Sequence, residues 1–260
     1  MDLIHGLSGL LVGLLVGLTG VGGGSLMAPI MILLLGVAPT TAVGTDLWFA
    51  AITKIVGSAI HHSLGEPDWQ VVRRLALGSL PASIITSIIL SQMSMGQVTQ
   101  GLIMNALGVL LIATAIATFS WVRVQRAALG LSPTTAARYK LRQPALTMLA
   151  GALLGVMVTL TSVGAGALGA VLLFALYPLR MSARRLVGTD IVHAVPLTIV
   201  AGLGHLLMGN VDFLLLGSLL VGSIPGIIIG SWLATRLPGG VMRPILAVVL
   251  AIVGFKMLTS

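Results

Sequence analysis

Cysteine is absent from this chain of 260 residues, and Asp, Glu, Lys and Arg together make up only 8% of it. Without cysteine the chain can form no disulfide, no thiolate metal site and no cysteine nucleophile. Soluble domains carry about 25% charged residues, whereas 57% of this chain is hydrophobic. A soluble fold could not bury so much apolar surface, so the composition indicates a polytopic membrane protein.

The apolar runs are long and lack alternating polar positions, which favours helices over the strands of a membrane barrel. We therefore expect an all-α polytopic membrane protein with about ten membrane segments. The expected segments are 3–18, 26–37, 43–64, 71–91, 98–121, 145–160, 167–179, 186–208, 214–235 and 241–258.

One long polar stretch, RVQRAALGLSPTTAARYKLRQ, interrupts the apolar pattern after the fifth segment. Its basic residues are typical of a cytoplasmic loop, so the net charge of +8 gives no reason to expect nucleic-acid binding. We predict three parts: a first membrane repeat at 1–121, a basic cytoplasmic linker at 122–144 and a second membrane repeat at 145–260.

The two halves resemble each other in sequence. With a shift of 144 residues, VGTD at 43–46 aligns with VGTD at 187–190, and GSLP aligns with GSIP. Between 43–90 and 187–234, 17 of 48 ungapped positions are identical, and they include the rare residues His, Asp and Pro. Repeats of this kind are typical of secondary transporters.

Each half is expected to hold five segments, so the second should be inverted in the membrane relative to the first. If the linker is cytoplasmic, 12 of the 14 Lys and Arg residues fall on the cytoplasmic side, as the positive-inside rule requires. The exceptions are Lys54, within a segment, and Lys256, near the C-terminus. Both termini are then expected outside the cell.

A glycine-rich break opens each half: TGVGGGS at 19–25 and TSVGAGA at 161–167. In transporters, broken or re-entrant helices direct free backbone N–H groups and positive helix ends at an anion near the midplane. Glycine lets the backbone approach such a ligand closely. The alternative is that these glycines allow tight helix packing or a turn. The predicted anion-binding residues are Thr19, Gly20, Gly22, Gly23, Gly24, Ser25, Thr161, Ser162, Gly164 and Gly166.

Asp46 and Asp190 are the only carboxylates that fall inside predicted segments. Charges in the membrane interior are costly and are usually functional, so we expect a role in coupling or gating. Capping of a helix start is an equal alternative, because each aspartate follows Gly-Thr near a segment start. Lys54, eight residues after Asp46, could bind the anion or pair with that aspartate. His193 lies one turn from Asp190 and could share its proton.

The glycine break, the proline that follows it and the GTD motif, all repeated after a basic linker, resemble the TauE/SafE sulfite exporter family. The resemblance covers nearly the whole chain, although TSVGAGA departs from the fuller TGVGGGS pattern. It implies transport of small sulfur-containing anions, such as sulfite and organosulfonates, across the inner membrane of a bacterial cell.

The expected function is therefore secondary transport of such an anion, with export as the expected direction, and not enzymatic catalysis. No cofactor, metal site or catalytic residue is predicted, because no strand precedes TGVGGGS and no Walker sequence is present. The expected partners are the lipid bilayer and a small anionic substrate, with a homodimer left open and nucleic acid excluded. A passive anion channel and an intramembrane aspartyl protease remain alternatives.

Overall fold

The computed structural model describes residues 3–19, 24–60, 67–93, 97–120, 133–164, 166–177, 180–234 and 239–259. Within these ranges all regular structure is helical, which agrees with the all-α expectation. The helices are α1 (Leu3–Thr19), α2 (Gly24–Leu33), α3 (Pro39–Ile60), α4 (Trp69–Gln92), α5 (Gln97–Phe119), α6 (Pro133–Thr161), α7 (Ala167–Leu176), α8 (Ala183–Leu207), α9 (Phe213–Ala234) and α10 (Gly239–Thr259).

Within the residues that the structure describes, five stretches are long and apolar enough to cross a membrane: Trp69–Gln92, Thr99–Phe119, Arg142–Thr161, Arg185–Leu207 and Phe213–Gly230. The outer faces of these helices carry large apolar side chains, such as Phe119, Leu149 and Leu214, that are well exposed. Exposed apolar faces on long helices suit contact with lipid, so the fold is that of a multi-pass membrane protein.

Two helices are too short to cross a bilayer alone. α2 and α7 each have 10 residues and therefore span about 15 Å, roughly half the hydrocarbon thickness of about 30 Å. Each follows a glycine-rich break. α6 begins at Pro133 and continues through Pro144 to Thr161 without interruption, so residues 133–144 of the predicted linker are helical. The division into two membrane repeats and a cytoplasmic linker stays a prediction.

Helices of the first half pair with helices of the second half. α1 packs along α9 and α6 along α4, while α5 contacts α10 and α3 contacts α8. The first helix of each half thus meets the fourth helix of the other, and the third and fifth helices meet their counterparts.

Glycine allows the two longest of these contacts. At Gly9 and Gly13 of α1, a Cβ atom would collide with backbone atoms of α9, and at Gly151 and Gly155 of α6 it would collide with backbone atoms of α4. The glycines of α6 lie 142 residues after those of α1. In lipid, helices associate through such close van der Waals packing because apolar tails offer no hydrophobic drive for association.

A glycine pair on α9 tests this packing. At Gly222 a Cβ would meet the carbonyl oxygen of Gly6, whereas at Gly217, on the same helix, nothing lies within 4 Å. We expect Gly222→Ala to lower the stability of the purified protein by about 1–3 kcal/mol through overpacking. Gly217→Ala should leave stability unchanged or raise it by up to about 1 kcal/mol. Thermal unfolding in detergent measures both, and equal midpoints would contradict the close α1–α9 contact.

Candidate functional site

The threonines of the two GTD motifs connect the halves of the protein. Thr45 in α3 accepts a hydrogen bond from the backbone N–H of Asp212 at 3.1 Å, and Thr189 in α8 accepts one from Asp68 at 2.9 Å. Asp212 and Asp68 in turn cap the starts of α9 and α4 with their carboxylates. Each motif threonine therefore fixes the third helix of one half against the fourth helix of the other.

The motif aspartates lie deep within their helices. Asp46 is 0% and Asp190 4% exposed, and each is the eighth residue of its helix. The capping alternative is wrong for Asp190, because α8 begins at Ala183 and its N-cap is Ser182, which accepts a bond from Arg185. Both carboxylates are instead held in the protein interior, where an unbalanced charge is costly.

Lys54 lies between the two carboxylates in electrostatic terms. Its side chain is only 6% exposed, and it interacts with both Asp190 and Asp46. The three buried residues are therefore electrostatically coupled across α3 and α8, and we refer to them as the buried cluster. With both carboxylates and the ammonium group ionised, their formal charges would sum to −1, so one bound proton would make the set neutral.

Asp46 is the least satisfied member of this cluster. Both of its carboxylate oxygens are buried, and neither meets the geometry of a full hydrogen bond in the described part of the chain; the same holds for the hydroxyl of Ser162. The hydroxyl of Ser162 and the backbone of Ala28 in α2 lie close enough to stabilise the Asp46 carboxylate only in part. Buried polar groups without partners are rare and costly, so this position suits a proton or a ligand.

The second glycine-rich break has an unusual backbone. Ser162 has a φ of 59°, the sole positive φ outside glycine in the described residues, and Gly164 and Gly166 have φ values of 123° and 159°. Gly166 is the N-cap of α7 and provides no side-chain capping bond. Val163 and Gly164 are buried, so the break lies inside the protein rather than in a surface loop.

Asp190 lies against the start of α7. A Cβ atom added to Gly169, in the first turn of this helix, would come within 2.6 Å of an Asp190 carboxylate oxygen. Asp46 has a similar position beside Ala28 in α2. Each aspartate therefore lies beside the first two turns of a short helix, near its positive end, a position that the sequence pattern did not predict.

His193 contacts a serine of the first half. Its Nε2 atom is 2.8 Å from the hydroxyl of Ser79 in α4, a residue of the repeated GSLP and GSIP sequences that is not among the predicted site residues. The sharing of a proton between His193 and Asp190 stays a hypothesis. The residue equivalent to His193 in the first half is Phe49, so this contact between the halves is not repeated at the equivalent position.

The other predicted residues divide into two groups. Thr161 uses its hydroxyl locally, because it donates to the carbonyl of Met157 at 2.6 Å and accepts from the N–H of Val163 at 3.1 Å. Much of the first break lies outside the described residues: Gly20, Gly22 and Gly23, together with the side chains of Thr19 and Ser25. Gly24 begins α2. The predicted meeting of the two breaks at one anion site stays a prediction.

Similar proteins are known by sequence. The family model of the sulfite exporter TauE/SafE matches residues 6–257. The probable membrane transporter protein YjnA of Bacillus subtilis is 40% identical over 214 residues, which cover 80% of this chain and 81% of that protein. A probable membrane transporter protein of Haemophilus influenzae is 40% identical over 77 residues, which cover 27% of this chain and 29% of that protein. No solved structure matches the chain.

The charge balance of the cluster can be tested by stability alone. Lys54→Met removes the ammonium group and leaves two facing carboxylates, which we expect to destabilise the protein by up to about 3–5 kcal/mol. Adding Asp190→Asn should recover part of that loss, because it removes one of the unbalanced carboxylates. Thermal unfolding of the single and double variants measures this coupling. Strictly additive losses would show that the lysine and the aspartate act independently.

Proposed function

The chain belongs to the TauE/SafE sulfite exporter family, and we propose that this membrane transporter exports small sulfur-containing anions such as sulfite or organosulfonates. The observation that carries the proposal is the buried cluster of Asp46, Lys54 and Asp190 beside the starts of two short helices. A polar site enclosed by apolar helices suits a small charged substrate. The sulfur chemistry of the substrate comes from the family alone.

We further propose that the two halves are inverted repeats related by a pseudo-twofold axis in the membrane plane. Three observations support this: the crossed pairing of first and fourth helices, the equivalent bonds of Thr45 and Thr189, and the equivalent glycine contacts. In this arrangement both termini face the outside of the bacterial inner membrane. Each half in turn adopts the conformation of the other, which opens the site first to one side of the membrane and then to the other.

The geometry supports a link between anion binding and protonation. Asp46 and Asp190 lie near the positive ends of α2 and α7, so an incoming anion would meet carboxylates at the place where the helix dipoles attract it. A proton on one carboxylate reduces that repulsion, and the positive charge of Lys54 then attracts the anion. Each anion is therefore accompanied by a proton, and release of the proton on the far side lowers the affinity for the anion.

Ligand-dependent thermal stability tests the function. We expect sulfite and methanesulfonate to raise the unfolding temperature of the purified protein in a saturable manner, because a ligand stabilises the state that binds it. Sulfate and acetate at equal ionic strength are the comparison anions. Gly164→Leu, which adds bulk at the second break, should abolish the shift, whereas Gly217→Leu fills open space and should retain it. An absence of any shift with the sulfur anions would contradict the proposal.

Coupling of transport to protons is tested with an anion whose own charge does not change with pH. Methanesulfonate stays ionised across the physiological range, so a pH effect on its transport in proteoliposomes reports on the protein. We expect Asp46→Asn, which keeps the side-chain shape but holds no exchangeable charge, to abolish the stimulation of transport by a pH gradient. The result would argue against coupling here if both Asp46→Asn and Asp190→Asn kept the wild-type rate and pH profile. Uptake against an opposing anion gradient separates this transporter from a passive channel.

A further inference from the structure

A polar network joins α4, α7 and α8 at the arginine-rich end of the protein. The guanidinium of Arg180 donates to an Asp68 carboxylate oxygen at 2.8 Å and to Gln70 at 2.9 Å. Arg185 lies 3.6 Å from the other Asp68 oxygen. Asp68 is nearly fully buried, whereas both arginine side chains are 42% exposed. The contacts therefore connect the loop after α7 to the start of α4.

A second layer fixes the C-terminal end of α7. The hydroxyl of Tyr177, the C-cap of this helix, is 2.7 Å from the hydroxyl of Thr147 in α6 and accepts a bond from Arg74 in α4 at 3.2 Å. The guanidinium of Arg180 lies 5.9 Å from the centre of the Tyr177 ring. We call Asp68, Arg74, Tyr177, Arg180 and Arg185 the clamp.

The clamp joins the two halves at one end only, and the position related to it by the repeat lacks it. Asp212, the equivalent of Asp68, also caps its helix and also binds a motif threonine through its N–H. The positions equivalent to Tyr177, Arg180 and Arg185 hold Leu35, Ala38 and Thr41. No ion pair of Asp212 occurs within the ranges that the structure describes. Since the same helix start forms in the other half without these charges, they are not needed to build the fold.

The clamp lies over an apolar cluster. Val71 and Leu75 of α4 pack there with Leu173 of α7 and Leu186 of α8, and all four side chains are buried. The opposite end of α7 carries Gly169, which contacts Asp190. A helix of 10 residues is short enough to move as a rigid body. A displacement of its clamped C-terminal end would therefore also move its N-terminal end, which lies beside Asp190.

We propose that the clamp is the gate latch on the arginine-rich side: it holds α7 closed against α4, and its release opens the central site to that side. Half-exposed ion pairs suit this task, because water can replace their contacts when they break. The role of this opening in transport rests on the proposed function. The existence of the latch can be tested without any substrate.

The experiment uses the natural absence of cysteine. A single Leu186→Cys reporter, buried beneath the clamp, is labelled with a membrane-impermeant maleimide in inside-out membrane vesicles. Asp68→Asn keeps a side chain that can cap α4 but removes the charge, and Arg180→Gln removes the partner. We expect each to raise the labelling rate about two- to fivefold. The labelling rate of the double variant should be close to that of either single variant, because both substitutions break the same contact.

Asp212→Asn is the matched control, because it makes the same substitution at the equivalent helix cap and should leave labelling unchanged. The proposal is overturned if neither clamp variant speeds labelling, or if Asp212→Asn speeds it equally, which would indicate general loosening. Should Asp68→Asn fold poorly, Arg180→Gln alone decides, because it leaves the cap intact. Faster labelling with no response to any sulfur anion would retain the latch and refute the substrate assignment.

Discussion

The structure depends on the balance of charge among Asp46, Lys54 and Asp190 in a place that water does not reach. Each carboxylate would be prohibitively costly alone in the membrane interior, and a single lysine interacting with both makes their burial feasible. With both carboxylates ionised the three charges would not cancel, and one bound proton makes them balance. The charge of the cluster therefore depends on a single proton, which is the property a coupled transporter requires.

The helices around the buried cluster are held together by contacts that involve no charged side chain. Glycines let α1 and α6 pack directly on the backbone of α9 and α4, and Thr45 and Thr189 secure the third helices through single hydrogen bonds. These contacts use van der Waals packing and neutral dipoles, which lipid tolerates. Charge is thereby kept for the interior cluster and for the exposed end of the molecule.

Much of the fold could be predicted from the sequence because its signals are local or repeated. Long apolar runs predict helices, and the repeated VGTD predicts equivalent places for the two aspartates, which the structure has as the eighth residue of α3 and of α8. The partners of the site residues could not be predicted. His193 binds Ser79 on another helix, and each aspartate lies near the positive end of a short helix, since both contacts depend on how helices distant in sequence pack together.

The departures from the repeat are more informative about function than the repeat itself. A symmetric pair of halves would place equal groups at both ends and on both sides of the centre, and the repeated caps and glycine contacts do so. Lys54 has Thr198 as its equivalent, His193 has Phe49, and Arg180 has Ala38. Each of these differences places a lysine, a histidine or an arginine in one half alone. An alternating-access protein with two equal ends would have no preferred open state at rest. If this protein alternates as proposed, one lysine at the centre and one set of ion pairs at one end make its two open states unequal in energy, so that a bound anion and a proton decide between them.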